Sequence, residues 1–253
     1  MGRRIEDRVA IVTGAAQGIG ATYAKAMAKE GASVVIADLD DGQPVVDKIR
    51  AEGGEAFNLV TDVSDETSAA NMVSETVDRY GKVDILVTNA AIFGKLQAKP
   101  FNEISVEEWD TLMAVNVRGV FICVKAVVGQ MRKQQYGKII NIASGTLFKG
   151  TPYMLHYVTS KGAVLAMTRC LAREVGDDGI CVNALAPGLV MSENVLAQEN
   201  FDDAAVDANT ATRALKRRQV PHDLVGAMLF LASSDSDFMT GQCMVVDGGS
   251  VNH

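Results

Sequence analysis

Apolar and polar positions along the chain follow two alternating periods. Short, β-rich apolar runs at Arg8 to Thr13, Ala32 to Ala37, Glu55 to Thr61, Val83 to Thr88, Lys138 to Ala143, Cys181 to Leu185 and Met244 to Val246 read as seven strands. Between them lie stretches with the period of a helix: Ala21 to Glu30, Pro44 to Glu52, one starting near Asp65, Ser105 to Gln135, Tyr153 to Gly176, and Pro221 to Ser233. The longest carries an apolar stripe of Trp109, Leu112, Met113, Val117, Val120, Phe121, Val124, Val127 and Val128, with Asn116 inside it. Strands alternating this regularly with helices predict an α/β fold with a mostly parallel sheet, whose ligands lie beyond the carboxyl ends of the strands.

The chain has 253 residues, 48% of them apolar, and no Pro- or Ser-rich break, low-complexity tract or internal repeat divides it. One domain over 1–253 is expected. Leu189 to Val220 lacks clean periodicity, which suits a lid over a site and suits an ordinary pair of surface helices equally well.

A formal charge of −7 argues against a nucleic-acid or anionic-membrane surface, and the cluster Lys216-Arg217-Arg218 reads as a solvated or ion-paired patch. The N-terminal segment has no apolar run resembling a secretory signal, and no uninterrupted apolar stretch approaches the length of a membrane span, so a soluble, cytoplasmic protein is expected. Cys123, Cys170, Cys181 and Cys243 lie far apart within apolar runs. They read as buried thiols, with neither a disulfide nor a metal site implied.

The candidate chemistry sits at strand ends. After the first strand comes Gly14-x-x-x-Gly18-x-Gly20 and then a helix, an arrangement that lets backbone approach a pyrophosphate and offers free N–H groups at a positive helix end. A tight turn without a ligand fits the same residues. Asp38 ends the second strand, eighteen residues beyond Gly20, where a carboxylate can accept hydrogen bonds from both ribose hydroxyls of an adenosine. It would repel a 2′-phosphate, and neither Leu39-Asp40-Asp41 nor Ala15-Ala16-Gln17 supplies a rescuing cation, so NAD is expected over NADP. Asp62 could bond an adenine amino group or cap the following helix, a role for which Ser64 competes. Asn89-Ala90-Ala91 could let a flat ring pass, or be loop packing. Asn116, unfavourable in mid-helix, suggests a hydrogen bond to a backbone carbonyl or a water, structural or otherwise. Ser144 closes the fifth strand. Thirteen residues on, Tyr157 and Lys161 share one helix face, where a cation would stabilise a phenolate and bring a group that ordinarily titrates near about 10 towards neutral pH. In isolation that pair would equally read as an aromatic at the core edge and a lysine reaching solvent.

Taken together, Thr13-Gly14-x-x-x-Gly18-x-Gly20, Asp62, Asn89-Ala90, Asn116, Ser144, Tyr157-x-x-x-Lys161, Pro187-Gly188 and Asp247-Gly248-Gly249 resemble the short-chain dehydrogenase/reductase family over essentially the whole chain. The resemblance implies a Rossmann-like three-layer sandwich whose seven strands run in the order 3-2-1-4-5-6-7. It implies Tyr157 as acid/base, Lys161 as the group that lowers its pKa and holds the nicotinamide ribose, Ser144 on the substrate oxygen, and Asn116 in a proton relay. To the cofactor it assigns Gly14, Gln17, Gly18, Ile19, Gly20, Asp38, Asp62, Val63, Asn89, Ala90, Pro187, Gly188, Val190 and Ser192, together with Tyr157 and Lys161. Three positions depart from the family pattern: the usual Asn-Asn-Ala-Gly appears as Thr88-Asn89-Ala90-Ala91, with Thr88 for Asn and Ala91 for Gly, and Ser192 stands where Thr is usual. Family members commonly form tetramers, through helices matching Ser105 to Gln135 and Tyr153 to Gly176.

By position, the pocket wall comprises Phe93, Leu147, Thr151, Tyr153, Met154, Met191 and Phe201, an apolar lining suited to an uncharged secondary alcohol or ketone with a hydrophobic or aromatic substituent. The alternatives are a 3-oxoacyl-thioester reductase and a non-catalytic NAD(H) sensor on the same fold. His156, His222 and His253 are given no catalytic role.

Overall fold

The computed structural model describes residues 3–94, 96–197 and 202–251, with the backbone alone at Asn194; Phe201 and His253 lie outside the described residues. The seven strands are β1 (Val9–Thr13), β2 (Ser33–Asp38), β3 (Glu55–Val60), β4 (Ile85–Thr88), β5 (Gly137–Ile142), β6 (Ile180–Pro187) and β7 (Cys243–Val246). They form one sheet in the order β3-β2-β1-β4-β5-β6-β7, with every pair parallel.

Successive strand residues point to opposite faces, and each face buries its own core. On one, Ala10, Val12, Val34, Ile36 and Leu185 pack with Tyr23 and Met27 of α1 (Gly18–Lys29), Val46 of α2 (Gln43–Ala51) and Met228 of α10 (Val225–Ala232). On the other, Ile11, Val35, Leu86, Ile139 and Val182 pack with Met72 of α3 (Glu66–Tyr80), Val124 of α5 (Gly119–Gln134) and Val164 of α7 (Leu155–Val175). Asp65 caps α3 by accepting from Ser68 N at 2.7 Å, so neither Asp62 nor Ser64 fills that role.

The stretch read as one helix over Ser105 to Gln135 is α4 (Val106–Met113), a π-helical turn at Ala114–Arg118 and α5. Asn116 lies in the wide turn. Its Oδ1 accepts from Ile92 N at 2.7 Å and its Nδ2 donates to Ile92 O at 3.3 Å, an exchange with the loop after β4 that draws backbone out of α-register. Val106–Gln134 is 29 residues long with a mean hydropathy of 1.8 over its most apolar window, which reaches membrane-span length and corrects the expectation that nothing does. Its inner face packs on the sheet and on α3 and α7.

The helix expected from Tyr153 starts at Leu155, because Tyr153 sits in the left-handed region with φ 64°. The cysteines correct another expectation: Cys123 is buried, Cys170 is exposed on the outer side of α7, and Cys181 and Cys243 are half-buried, all with free thiols. The weakly patterned segment after β6 contains two helices, α8 (Glu193–Leu196) and α9 (Asp203–Ala211). The basic cluster beyond them is ion-paired, Arg217 with Asp223, and Arg218 with Asp203 and Asp207.

A buried polar chain fixes α7 to the sheet. Thr88 Oγ1 donates to Asn141 Oδ1 at 2.8 Å, Asn141 Nδ2 donates to Thr168 Oγ1 at 2.9 Å, and Thr168 Oγ1 donates to Val164 O. Asn141→Ala would strand the buried Thr88 hydroxyl and leave Thr168 with Val164 O alone, a loss of about 1–2 kcal/mol that should lower Tm by roughly 3–8 °C in a chain of this size. Scanning calorimetry that found Tm unchanged would show that the chain does not hold the helix.

Candidate active site

Every predicted site residue that can be placed gathers along the carboxyl edge of the sheet. The glycine turn follows β1, Asp38 ends β2, Asp62 follows β3, Asn89 follows β4, Ser144 follows β5 and Pro187 ends β6. Parallel strands make this unavoidable, since each one delivers its following loop to the same edge.

The glycine turn is built against β4's end. Gly14 and Gly18 have φ of 63° and 60°, and a Cβ on Gly14 would lie 2.7 Å from Ala90 Cα. One on Gly20 would lie 2.2 Å from Gly14 O. Asn89 Nδ2 donates to Thr13 O and Gly14 O at 3.0 and 2.9 Å, while Thr13 Oγ1 accepts from both Asn89 N and Ala90 N. At the start of α1, Gln17 provides no side-chain cap and the first turn holds no acid, so its N–H groups are left for an anion. This cradle suits a pyrophosphate. Asp38 Oδ2 accepts from Ala16 N at 2.9 Å and Oδ1 from Asp40 N at 3.2 Å, which stiffens the turn and fixes both carboxylate oxygens at its mouth. Asp62 Oδ1 takes Ser64 N and Oγ, leaving Oδ2 without a partner among the described residues, and Val63 packs beneath Gly119.

Ser144 is buried, and its Oγ accepts from Thr146 Oγ1 at 2.9 Å. The buried Tyr157 phenol lies close enough for the Ser144 hydroxyl to oppose the effect of burial on its pKa, and its ring packs at a tilt on Phe93 with centroids 4.9 Å apart. Lys161 is buried as well. Its Nζ donates to Ile142 O at 2.8 Å and lies 5.7 Å from the Tyr157 ring centroid. Asn116 Nδ2 reaches Ser160 Oγ at 3.2 Å, and Ser160 Oγ donates to Tyr157 O, so the π-turn is joined to the catalytic helix. Beyond β6, Gly188 N donates to Val246 O and Ser192 N to Val190 O, with Val190 and Ser192 both buried. His156 is fully buried and turned towards Glu108 on α4, Nε2 to Oε1 3.4 Å.

The family model described as enoyl-(acyl carrier protein) reductase matches residues 14–251. A short-chain dehydrogenase/reductase of Hericium erinaceus is 38% identical over 251 residues, covering 96% of this chain and 98% of that one. The chain belongs to the short-chain dehydrogenase/reductase family. The BbsD subunit of a (2S)-[(R)-hydroxy(phenyl)methyl]succinyl-CoA dehydrogenase from Thauera aromatica is also 38% identical, over 250 residues and 97% of both chains. Among solved structures, a putative NAD(P)-dependent gluconate 5-dehydrogenase of Beutenbergia cavernae, with NADP bound at low occupancy, superposes with a TM-score of 0.91 at 36% identity and 99% coverage of each chain. Membership makes this chain an oxidoreductase that uses a nicotinamide cofactor.

The hydrogen bonds add detail to the family pattern at three positions. Asn89 spends both amide hydrogens on the glycine turn and so shapes the cradle. Thr88, where Asn is usual, spends its hydroxyl on Asn141. Burial pushes Tyr157 up to about 12, with the neighbouring Ser144 hydroxyl opposing, and the same burial pushes Lys161 down to about 8. The ammonium is held by the Ile142 carbonyl, to one side of the phenol oxygen. Thr13, Thr146 and Ser160 are supporting hydroxyls that sequence reasoning missed. Their only signal was adjacency to Gly14, Ser144 and Lys161.

The depressed Lys161 has a consequence for stability. Its folded value, about 8, lies below the ordinary 10.5. Between those limits the unfolded chain carries a proton that the folded chain lacks, so this contribution rises with pH across that window and is lost below it. Urea unfolding of wild type and Lys161→Met at pH about 7 and about 10 should show wild type gaining relative to the variant at the higher pH. A constant difference would mean the lysine is not desolvated.

Proposed function

We propose that the protein is an NAD-dependent dehydrogenase interconverting a secondary alcohol that bears an apolar or aromatic substituent and the corresponding ketone. The observation that carries this reading is the buried Ser144 and Tyr157 pair beside Phe93, with Lys161 one turn along the same helix. The nicotinamide ring, when bound, supplies the hydride acceptor. The protein's part is to fix the substrate oxygen between the Ser144 and Tyr157 hydroxyls and to take its proton at Tyr157 Oη in oxidation, returning it in reduction. A phenol near 12 is a ready acid for ketone reduction, and as a base it relies on positive charge arriving beside it. A sensor without turnover would have no use for these three buried groups.

NAD over NADP is supported by Asp38 at the end of β2, a carboxylate anchored by Ala16 N and Asp40 N, with Leu39, Asp40 and Asp41 next in sequence and no cation among them. The apolar wall of Phe93, Leu147, Met154 and Met191 supports the substrate class, as does the aromatic substituent in the name of the Thauera relative's substrate. Residues 189–220, which carry α8 and α9, serve as the lid. We read the assembly as a cytoplasmic homotetramer without nucleic-acid or membrane partners, supported by four free thiols and by apolar side chains exposed on the outer faces of the helices, Val106, Phe121 and Leu155 among them. Sedimentation at the mass of a monomer would remove the tetramer.

Steady-state assays following NADH absorbance over a panel of secondary alcohols and ketones should give a kcat/KM for NAD roughly 100-fold above that for NADP, like charges at Asp38 costing the difference. Tyr157→Phe should lose at least about 100-fold in kcat while binding NADH as wild type does. A preference for NADP would overturn the reading of Asp38, and full activity in the phenylalanine variant would require another base.

A further inference from the structure

Arg213 follows α9, at the start of the return to the sheet, and is only 3% exposed. A guanidinium keeps its charge at any working pH, so burying one is costly unless its donors are used. Here both Nη atoms are used, while Nε is buried with no partner among the described residues. Nη2 donates to Leu189 O at 2.7 Å and to Asn209 Oδ1 at 3.0 Å, and Nη1 donates to Arg217 O at 2.9 Å. The stem lies on the backbone of Gly248, where a Cβ would meet Arg213 Cδ at 3.3 Å, and the Asp247 carboxylate stands near enough to oppose the charge. One side chain thus joins the loop after β6, helix α9 of the lid and the turn after β7.

The Leu189 carbonyl is the telling acceptor. In a trans peptide the C=O and the following N–H point opposite ways, so drawing Leu189 O back onto Arg213 turns the Val190 N–H to the other side. A second seam runs alongside: Gln219 Nε2 donates to Val246 O at 2.7 Å, and Met191 N donates to Gln219 O at 2.8 Å. The loop that carries Val190 and Ser192 is therefore held from behind by the Arg213 side chain and by the Gln219 backbone carbonyl, while the Gln219 side chain anchors that residue to β7.

We propose that Arg213 is a positioning residue that sets the Leu189–Val190 peptide for the nicotinamide end of the cofactor and ties that peptide to the lid helix through Asn209. The proposal rests on the proposed function above and on the family resemblance, which assigns Val190 and Ser192 to the cofactor and would bring them to its nicotinamide carboxamide. It makes binding of the two halves of the dinucleotide separable: the glycine cradle and Asp38 are untouched by Arg213, whereas the nicotinamide half depends on it.

The test compares NADH with ADP-ribose, which lacks the nicotinamide, by fluorescence and calorimetric titration of the full-length protein. Arg213→Met should raise the NADH Kd about tenfold, the equivalent of one charged hydrogen bond, and leave the ADP-ribose Kd within about twofold of wild type. Arg213→Lys, which keeps the charge but not the fork, should fall between. Equal changes for both ligands, or none for either, would overturn the proposal. If Arg213→Met does not fold, Asn209→Ala cuts only the lid bond and should raise substrate KM with NADH affinity unchanged; an unchanged KM would equally overturn it. Wild-type protein that bound ADP-ribose but not NADH would remove the oxidoreductase reading itself, and the proposal with it.

Discussion

The structure turns on burying a phenol and an ammonium together on one turn of α7, at the carboxyl edge of a parallel sheet. Burial disfavours the charged form of each, which raises Tyr157 and lowers Lys161. Neither group would be kept there for stability. The surrounding polar framework follows from that constraint: Ile142 O holds the ammonium, Thr146 Oγ1 donates to Ser144 Oγ, and the Asn141 and Thr168 chain keeps α7 seated on β5. Electrostatics of this kind is poised rather than complete, because positive charge brought next to the phenol oxygen has much more effect in a buried site than it would in water.

The π-turn at Asn116 belongs to the same design. An asparagine that exchanges hydrogen bonds with Ile92 fixes the loop leaving β4, and its second contact, to Ser160, reaches the turn of α7 that presents Tyr157. Asn89 does for the glycine cradle what Asn116 does for the catalytic turn, clamping backbone with both amide hydrogens. The site is rigid because side-chain amides, and not only helices and strands, close its loops. Arg213 extends the pattern to the loop beyond β6, where an apolar side chain could not hold a carbonyl.

Much of this was legible in the sequence, for reasons of periodicity. All seven strands were readable because parallel strands buried on both faces are continuous apolar runs, and the site's place followed because their carboxyl ends share one edge. What could not be read depended on hydrogen bonds between residues far apart. The π-turn has the composition of plain helix, and only Ile92, 24 positions away, reveals why it widens. The catalytic helix starts at Leu155, two residues after the expected Tyr153, because a backbone angle, not a propensity, decided its start. That Asn89 also clamps Thr13 and Gly14 could not be read from its place after a strand. Spacing along a helix gives the proximity of Lys161 to Tyr157 but not the Ile142 carbonyl that holds the ammonium.

The most direct test of the central claim is the ionisation of Tyr157 itself, followed as phenolate absorbance in wild type minus Tyr157→Phe. In the protein alone the difference should show one step near pH 12, and saturating NAD+ should bring that step down by more than one pH unit, because the oxidised ring adds positive charge beside the oxygen. A step at the ordinary phenol value, or one that NAD+ leaves where it was, would contradict the account.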